Sequence, residues 1–289
     1  MNQHLSQIDF DPALRPGAFN AVNVCLRLQP EERLTLITDE ATSEIAAALV
    51  SEIEKVGSRY TVFVLENLMP RPLVHMPPAI LDDLQKSDVS ILANITQSGE
   101  LPSRREMTNV VNRHKIRHAH MVNINKQIMR EGMGADFNLV DELSMKLVEK
   151  ARTTKVIRAQ SDGGTDIEAE LSPALEWLKT SGIISPDKWG NLPGGEIFTS
   201  PYNLNGVFVV DGVVGDYLCQ KYGDLEQTPL TIEIVNSRIK DLQCANKELL
   251  TEFARYTSTD ENSDRVGEFA LGTNIAVKNI IGHILQDEK

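Results

Sequence analysis

Two glutamates, Glu196 and Glu268, are the side chains of this sequence whose surroundings best suit chemistry. Each follows a glycine and precedes an apolar residue that begins a structured run. Glu196 comes directly after the turn 193–195, Pro-Gly-Gly, and such a turn fixes a side chain at the start of a strand, where it can point into a cleft. Carboxylates bind zinc, cobalt or manganese as part of a larger ligand set. Taken alone, the pattern also fits a turn with a surface glutamate.

The histidines offer little to complete such a ligand set. His114 and His118 are four residues apart, a spacing at which one helix face presents two metal ligands. Arginines and a lysine flank both of them, and their positive charge disfavours a metal cation. We therefore interpret His118 and His120 as a solvated polar edge near the start of a strand.

A longer pattern surrounds both glutamates. Residues 189–201 resemble the N-L-P-x-G-E-x-[FY]-T-x-P signature of the aminopeptidase T-type metallopeptidases and their relative, 2,5-dihydroxypyridine 5,6-dioxygenase. Residues 206–212 resemble the next strand and turn of that family, and residues 265–274 resemble its R-x-G-E-x-x-x-G-T-N block. Residues 285–289 look like the start of its D-E-K block, and residues 126–133 are similar to the end of its N-terminal domain.

The resemblance implies a metal site. In the family, the glutamates that match Glu196 and Glu268 help to hold a pair of divalent metals or, in the dioxygenase branch, belong to a site with one iron. The remaining ligands, a His, a Tyr and an H-x-D, follow the D-E-K block, whereas this sequence ends at Lys289. His283 precedes that block, in an apolar run (277–285) that predicts a helix, so it does not match a family ligand. We therefore expect a C-terminally shortened relative without catalytic residues and without bound zinc, cobalt, manganese or iron.

Two functional hypotheses follow from the resemblance. The first is a non-catalytic relative that binds a peptide or a small amine-bearing ligand in a cleft between two domains, and that presents a precursor peptide to the enzymes of a ribosomal-peptide pathway. Its expected ligand-binding residues are Glu196, Glu268, Gly194, Gly195 and Asn274, since the backbone of such turns can bond an extended chain. The alternative is a metal-dependent aminopeptidase, or a ring-cleaving non-haem iron dioxygenase, whose ligand-bearing tail is missing from this chain. The family also implies a homodimer.

Composition narrows the class of partner. The 29 Lys and Arg residues against 41 Asp and Glu residues give a net charge of −12, which argues against nucleic acid and favours ligands with free amines or basic side chains. Cys25, Cys219 and Cys244 are widely spaced and include no C-x-x-C pair, a usage typical of a reduced, cytoplasmic protein. No segment has the apolar length of a membrane span, so we expect no membrane partner.

The elements that must position these residues change in type along the chain. Strand patterns at 33–38, 60–65, 89–93 and 120–124 alternate with helix patterns at 43–56, 77–85 and 102–114, which predicts a Rossmann-like domain with an open parallel sheet over residues 1–152. Acidic residues, Asp39 and Glu40, stand where a dinucleotide-binding sheet carries its glycine-rich turn, so we interpret this sheet as a scaffold. A hairpin pattern at 155–171 begins a strand-rich, mixed α+β domain over residues 153–289.

Overall fold

The chain divides into two compact units in the computed structural model, which describes residues 5–289. The first unit comprises the chain up to Asp141 together with Thr180–Gly195 and Asn274–Ala276. The second comprises Glu142–Lys179, Glu196–Thr273 and Val277–Lys289. The expected boundary at 152/153 lies within the first stretch of the second unit. Among the described residues, no helix combines the length and the apolar character needed to cross a membrane.

The elements follow one another in this order. The strands are β1 (Arg33–Thr38), β2 (Arg59–Val64), β3 (Val89–Asn94), β4 (Arg117–Val122), β5 (Val156–Gln160), β6 (Asp166–Glu170), β7 (Leu178–Thr180), β8 (Gly190–Asn191), β9 (Glu196–Thr199), β10 (Asn203–Val210), β11 (Leu230–Val235), β12 (Arg238–Gln243) and β13 (Phe269–Gly272). The helices are α1 (Arg15–Phe19), α2 (Ser43–Val56), α3 (Pro78–Leu84), α4 (Leu101–His114), α5 (Lys126–Arg130), α6 (Phe137–Ala151), α7 (Gly215–Tyr222), α8 (Lys247–Tyr256) and α9 (Ile284–Asp287).

The first unit is built on a parallel sheet with the strand order β2-β1-β3-β4-β8. Strand β3 is buried along its whole length, as expected for a central parallel strand that is covered on both faces. Helix α2 ends at Gly57, whose φ of 83° is the left-handed conformation that favours glycine after a helix. The expected Rossmann-like class is therefore confirmed for this unit.

A buried arginine occupies the carboxyl end of this sheet, where the strand order reverses between β1 and β3. The Arg71 guanidinium lies 2.8 Å from Asp39, 3.0 Å from Glu66 and 2.7 Å from Glu100. Its side chain is 4% exposed, and it also donates to the carbonyl of Ile95. Ligands of open α/β sheets usually bind at this position. In this unit, the Arg71 side chain occupies that position.

The second unit contains an antiparallel sheet with the order β12-β11-β10-β6-β5 and a smaller sheet with the order β13-β9-β7. One core cluster packs against the larger sheet, and it includes Leu204, Ile232 and Phe269. The expected hairpin is confirmed as β5 and β6. The helix expected over 277–285 is wrong: only Ile284–Asp287 is helical, and Gly282 with φ 72° interrupts the apolar run.

Candidate functional site

Glu196 opens strand β9, and the glycine before it explains how the chain enters that strand. Gly195 has φ 132°, a conformation that other residues rarely adopt. A Cβ atom at this position would lie 2.5 Å from the Cβ of Asn274 and 2.8 Å from its backbone nitrogen. The backbone at position 195 therefore requires glycine. The next residue, Glu196, is the first residue of β9.

The register of β9 and β13 brings Glu196 and Glu268 to the same face of this pair of strands. Glu196 pairs with Gly272, and Phe198 pairs with Ala270. Because side chains alternate along a strand, Glu268, which directly precedes β13, projects on the face shared by Glu196, Phe198 and Ala270. The two carboxylates are thus at opposite ends of one short ladder, with the Phe198–Ala270 pair between them.

A lysine that sequence reasoning did not single out contacts this ladder. The Nζ atom of Lys289 lies 2.7 Å from Glu196 Oε1 and 2.6 Å from Glu288 Oε1, and its side chain is only 1% exposed. The backbone of Lys289 also packs on Gly272, where a Cβ would lie 2.6 Å from its carbonyl oxygen. In the sequence, Lys289 belongs to the Asp-Glu-Lys stretch at 287–289, which we had noted only because it resembles a block of the family.

Charged neighbours affect the Glu268 carboxylate. Lys289 pairs with Glu196 and Glu288, and Glu268 lies near these three charges without pairing with Lys289. Partial burial raises the pKa of Glu268, and the negative charges of Glu196 and Glu288 raise this pKa further, while Lys289 partly offsets them. The exposed Glu268 carboxylate makes no hydrogen bond or close ion pair with the part of the chain that the structure describes.

The donor set does not fit a metal pair. Within residues 5–289, no group of three or more His, Cys, Asp or Glu side chains is arranged to hold a metal ion. The Lys289 ammonium contacts Glu196, and Glu268 lies beyond the opposite end of the ladder, four residues before the Gly272 that pairs with Glu196. His283 precedes α9, where its Nδ1 accepts a hydrogen bond from the Leu285 N–H at 3.3 Å. A catalytic metal needs about three protein ligands around one open position, which these side chains do not supply.

An apolar pocket of about 360 Å³ lies beside Glu268 in the second unit. It is lined by residues of the larger sheet and by Phe269 and Ala270 of β13, an edge strand of the smaller sheet. Its aliphatic lining includes Ile167, Leu204, Ile232, Ile234 and Ile239, and its charged residues are Asp264, Arg265 and Glu268.

A glycine lies between two of the isoleucines that line this pocket. Gly206 in β10 pairs with Ile234 on one side and Ile167 on the other. A Cβ at Gly206 would lie 2.2 Å from the carbonyl oxygen of Asp166. Glycine at this position therefore allows β10 and β6 to approach closely.

The other predicted ligand-binding residues, Gly194, Gly195 and Asn274, lie in the first unit. The buried Asn274 amide donates to the carbonyls of Gly132 at 3.0 Å and Gly194 at 2.9 Å, and its Oδ1 accepts from the Ala276 N–H at 3.1 Å. A Cβ at Gly194 would lie 2.2 Å from the nitrogen of Gly182. These contacts fix a turn, and a role of the three residues in ligand binding stays a prediction.

The first unit also contains a buried pair of histidines. His118 Nδ1 lies 2.8 Å from Ser90 Oγ, and His118 Nε2 lies 3.1 Å from His120 Nδ1. Trp189 covers His120, with ring centroids 5.0 Å apart. Burial lowers the pKa of His118 well below its usual range, and burial next to Arg104 lowers the pKa of His120 to about 3.

The expectation of a solvated edge for these histidines is wrong, because His118 is fully buried and His120 is 8% exposed. The i, i+4 spacing of His114 and His118 does not place them on one helix either. Helix α4 ends at His114, and His118 lies in β4. All residues of β4 after Arg117 are buried, because this strand lies between β3 and β8 in a parallel sheet that is covered on both faces.

Comparison with solved structures confirms the expected fold relationship. The chain is similar to 2,5-dihydroxypyridine dioxygenase from Pseudomonas putida KT2440, with a TM-score of 0.67 and 12% identity over 96% of this chain and 84% of that chain. It is also similar to wild-type AmpT from Thermus thermophilus, with a TM-score of 0.62 and 14% identity over 90% of this chain and 78% of that chain. At these identities, the likeness concerns the fold alone.

Sequence comparison places the chain in a family. No curated protein sequence matches it significantly. A family model described as thermophilic metalloprotease (M29) matches residues 142–289, which is more than half of the chain and includes both glutamates of the ladder. This match confirms the relationship read from the motifs, and the chain belongs to the M29 family of thermophilic metalloproteases.

Proposed function

We propose that this member of the M29 family is a non-catalytic protein that binds a peptide through its second unit. The observation that carries the proposal is the Glu268 carboxylate, which stands at an apolar pocket of about 360 Å³ without an ion pair from the described residues. A carboxylate beside an apolar pocket suits a ligand with an amine next to an apolar side chain. A peptide with a free amino terminus has both groups.

Strand β13 gives such a peptide a backbone partner. β13 is an edge strand of its sheet, and both Phe269 and Ala270 line the pocket. An extended peptide can bind an edge strand through main-chain hydrogen bonds, while its alternate side chains enter pockets. The pocket volume lies at the small end of the range for ligand sites, about 300–1,000 Å³, which suits one or two side chains.

The electrostatics of the chain support a cationic ligand. The net charge of −12 raises the encounter rate with a positively charged peptide. Near the pocket, Glu268 adds a local negative charge whose neighbours Glu196 and Glu288 are also acidic. The buried thiols of Cys25, Cys219 and Cys244 are all free, which supports a reducing, cytoplasmic setting for this function.

The absence of catalysis is part of the proposal. Its support is the donor set at Glu196, where the described residues provide carboxylates and an ammonium instead of a metal-ligand set. The alternative is the metal-dependent aminopeptidase or ring-cleaving dioxygenase expected from the resemblance. Turnover of an aminoacyl chromogenic substrate or of 2,5-dihydroxypyridine that requires added metal and scales with protein would favour that alternative.

Calorimetry with a short basic peptide that begins with leucine tests the binding. We expect a Kd in the micromolar range, about −8 kcal/mol. Glu268→Gln should weaken binding about fivefold, as for the loss of one exposed ion pair of about 1 kcal/mol. Acetylation of the peptide amine should weaken binding by the same factor. The acetylated peptide should bind Glu268→Gln no more weakly than either change alone predicts, because both changes remove the same contact.

Glu226→Gln is the matched control, since Glu226 is an exposed carboxylate of the same unit that does not line the pocket. It should bind like the unchanged protein. Equal affinity for the free and the acetylated peptide would count against the Glu268 contact. The wider role that we propose, presentation of a precursor peptide to the enzymes of a ribosomal-peptide pathway, requires that a full-length precursor bind the same pocket.

A further inference from the structure

A second pocket of the second unit lies between the end of α6 and the loop 171–177. Its volume is about 440 Å³, which is within the range of small-ligand sites, about 300–1,000 Å³. It shares no lining residue with the pocket at Glu268. Its lining combines apolar side chains with two opposite charges, and it includes Leu171, Leu175, Trp177, Arg152 and Glu176.

The two charged side chains of this pocket are unpaired. Neither the Arg152 guanidinium nor the Glu176 carboxylate makes a hydrogen bond or an ion pair with the described part of the chain. The backbone of each residue is nevertheless fixed. The Arg152 N–H donates to the carbonyl of Val148 at 3.0 Å, and the Glu176 carbonyl accepts from the Thr199 hydroxyl at 3.0 Å. The pocket therefore presents one positive and one negative group that do not neutralise each other by contact.

A tryptophan forms part of the apolar wall. Trp177 is 6% exposed, and its ring packs edge to face on Phe269, with ring centroids 6.5 Å apart. The N–H of a buried tryptophan usually has an acceptor, but the Trp177 indole N–H donates to none of the residues from 5 to 289. Trp177 thus supplies the pocket with apolar surface and with an unused hydrogen-bond donor.

We propose that this pocket binds a small zwitterion with an apolar side chain, either a free α-amino acid or a dipeptide. The Arg152 guanidinium matches a carboxylate, which it can bind through two parallel hydrogen bonds. Glu176 takes the ammonium of the ligand, and Leu171, Leu175 and Trp177 surround its side chain. A ligand with a charge of one sign leaves one of the two protein charges without a partner, so the pocket selects a ligand that carries both. The site is independent of the function proposed above.

Calorimetry with L-leucine and with L-leucyl-L-leucine tests this site. We expect saturable binding of at least one of them, with a Kd of about 1 mM or below. Binding of leucine would identify a free amino acid as the ligand, and binding of the dipeptide alone would identify a dipeptide. Arg152→Gln and Glu176→Gln should each weaken binding about fivefold, as for the loss of one exposed ion pair.

Ligands that lack one charge show which group each residue recognises. The amide of the ligand has no carboxylate, so it should bind Arg152→Gln and the unchanged protein equally. The N-acetyl derivative has no ammonium, so it should bind Glu176→Gln and the unchanged protein equally. No saturable binding of either zwitterion up to about 10 mM would overturn the proposal, and so would unchanged affinity in both variants.

Arg158→Gln is the matched control, because Arg158 is an exposed arginine of the same unit that pairs with Glu168 and does not line the pocket. It should bind the zwitterion like the unchanged protein. Glu268→Gln should do so as well, because Glu268 lines the other pocket. Weaker binding in Glu268→Gln together with unchanged binding in Glu176→Gln would place the zwitterion in the other pocket and overturn the proposal.

Tryptophan fluorescence gives a local measurement. The chain has two tryptophans, so Trp189→Phe leaves Trp177 as the only one. Its emission should change during the titration with the Kd found by calorimetry, and an emission that stays constant at saturation would count against a ligand beside the indole. Peptide binding at Glu268 is measured separately, so its failure would remove the proposed function and leave this result intact.

Discussion

The buried histidine pair of the first unit predicts how stability depends on pH. His120 has a pKa of about 3 in the folded protein against an ordinary value of 6.5, and the pKa of His118 is lowered as well. Below pH 6.5 the unfolded chain therefore takes up protons that the folded chain does not bind, and the free energy of unfolding falls as the pH falls. For each such histidine, the free energy of unfolding falls by about 1.4 kcal/mol per pH unit between its unfolded and its folded pKa.

The magnitude follows from the window between pH 6.5 and pH 5, which lies above the folded pKa of His120. Over these 1.5 units, His120 alone should remove about 2 kcal/mol from the free energy of unfolding, and His118 should add a loss of the same sign. This is a large part of the 5–15 kcal/mol that is typical of a folded domain. The stability that is present at pH 7 should thus decline well before most carboxylates titrate.

Urea unfolding at pH 7, 6 and 5, followed by circular dichroism and tryptophan fluorescence, measures this slope. His120→Gln retains a hydrogen-bonding side chain but cannot take up a proton. Its free energy of unfolding should therefore fall by about 2 kcal/mol less between pH 7 and pH 5 than that of the unchanged protein. His114→Gln is the matched control, since His114 is an exposed histidine at the end of α4, and it should keep the original slope. An unchanged slope in His120→Gln would refute the assignment of the pH dependence to this pair.

Two further outcomes are expected. Asn274→Ala should lower the free energy of unfolding by about 2 kcal/mol, because the buried carbonyls of Gly132 and Gly194 lose their amide donor; a denaturation midpoint that does not move would contradict this. The chain should form a homodimer, as the family resemblance implies, and light scattering at micromolar concentration should then give about twice 32.1 kDa; a mass of one chain would rule out the dimer.

Elements with strong local signals were predictable from the sequence. Strand β1 and helix α2 have the bounds that the pattern predicts, because β-branched residues and a glycine cap mark them locally. The apolar run 277–285 misled the prediction, since apolar content alone does not determine a helix when Gly282 adopts a left-handed φ. The two-residue strand β8 has no periodicity of its own and is recognisable only by its pairing with β4.

The candidate site was only partly predictable for a related reason. Motifs identified Glu196 and Glu268 because each occurs in a recognisable local sequence. The contacts of Lys289 with Glu196 and of Gly272 with the Lys289 backbone join residues that are distant in sequence. The pocket beside Glu268 likewise joins residues that are distant in sequence, because Ile167 of β6 and Ile234 of β11 lie on either side of Gly206 in β10.

The arginine that fills the carboxyl end of the parallel sheet has a consequence for local unfolding. Arg71 belongs to the loop 68–77, which carries three prolines and exposed side chains at Met69, Val74 and His75. Composition alone would mark this loop as a site of proteolytic cleavage. If the loop opened, however, the carboxylates of Asp39 and Glu100 would be left without their shared cation, and breaking a buried ion pair in this way costs about 3–5 kcal/mol. The loop is therefore coupled to the stability of the sheet, and proteases should cleave it at a rate governed by the unfolding of the first unit.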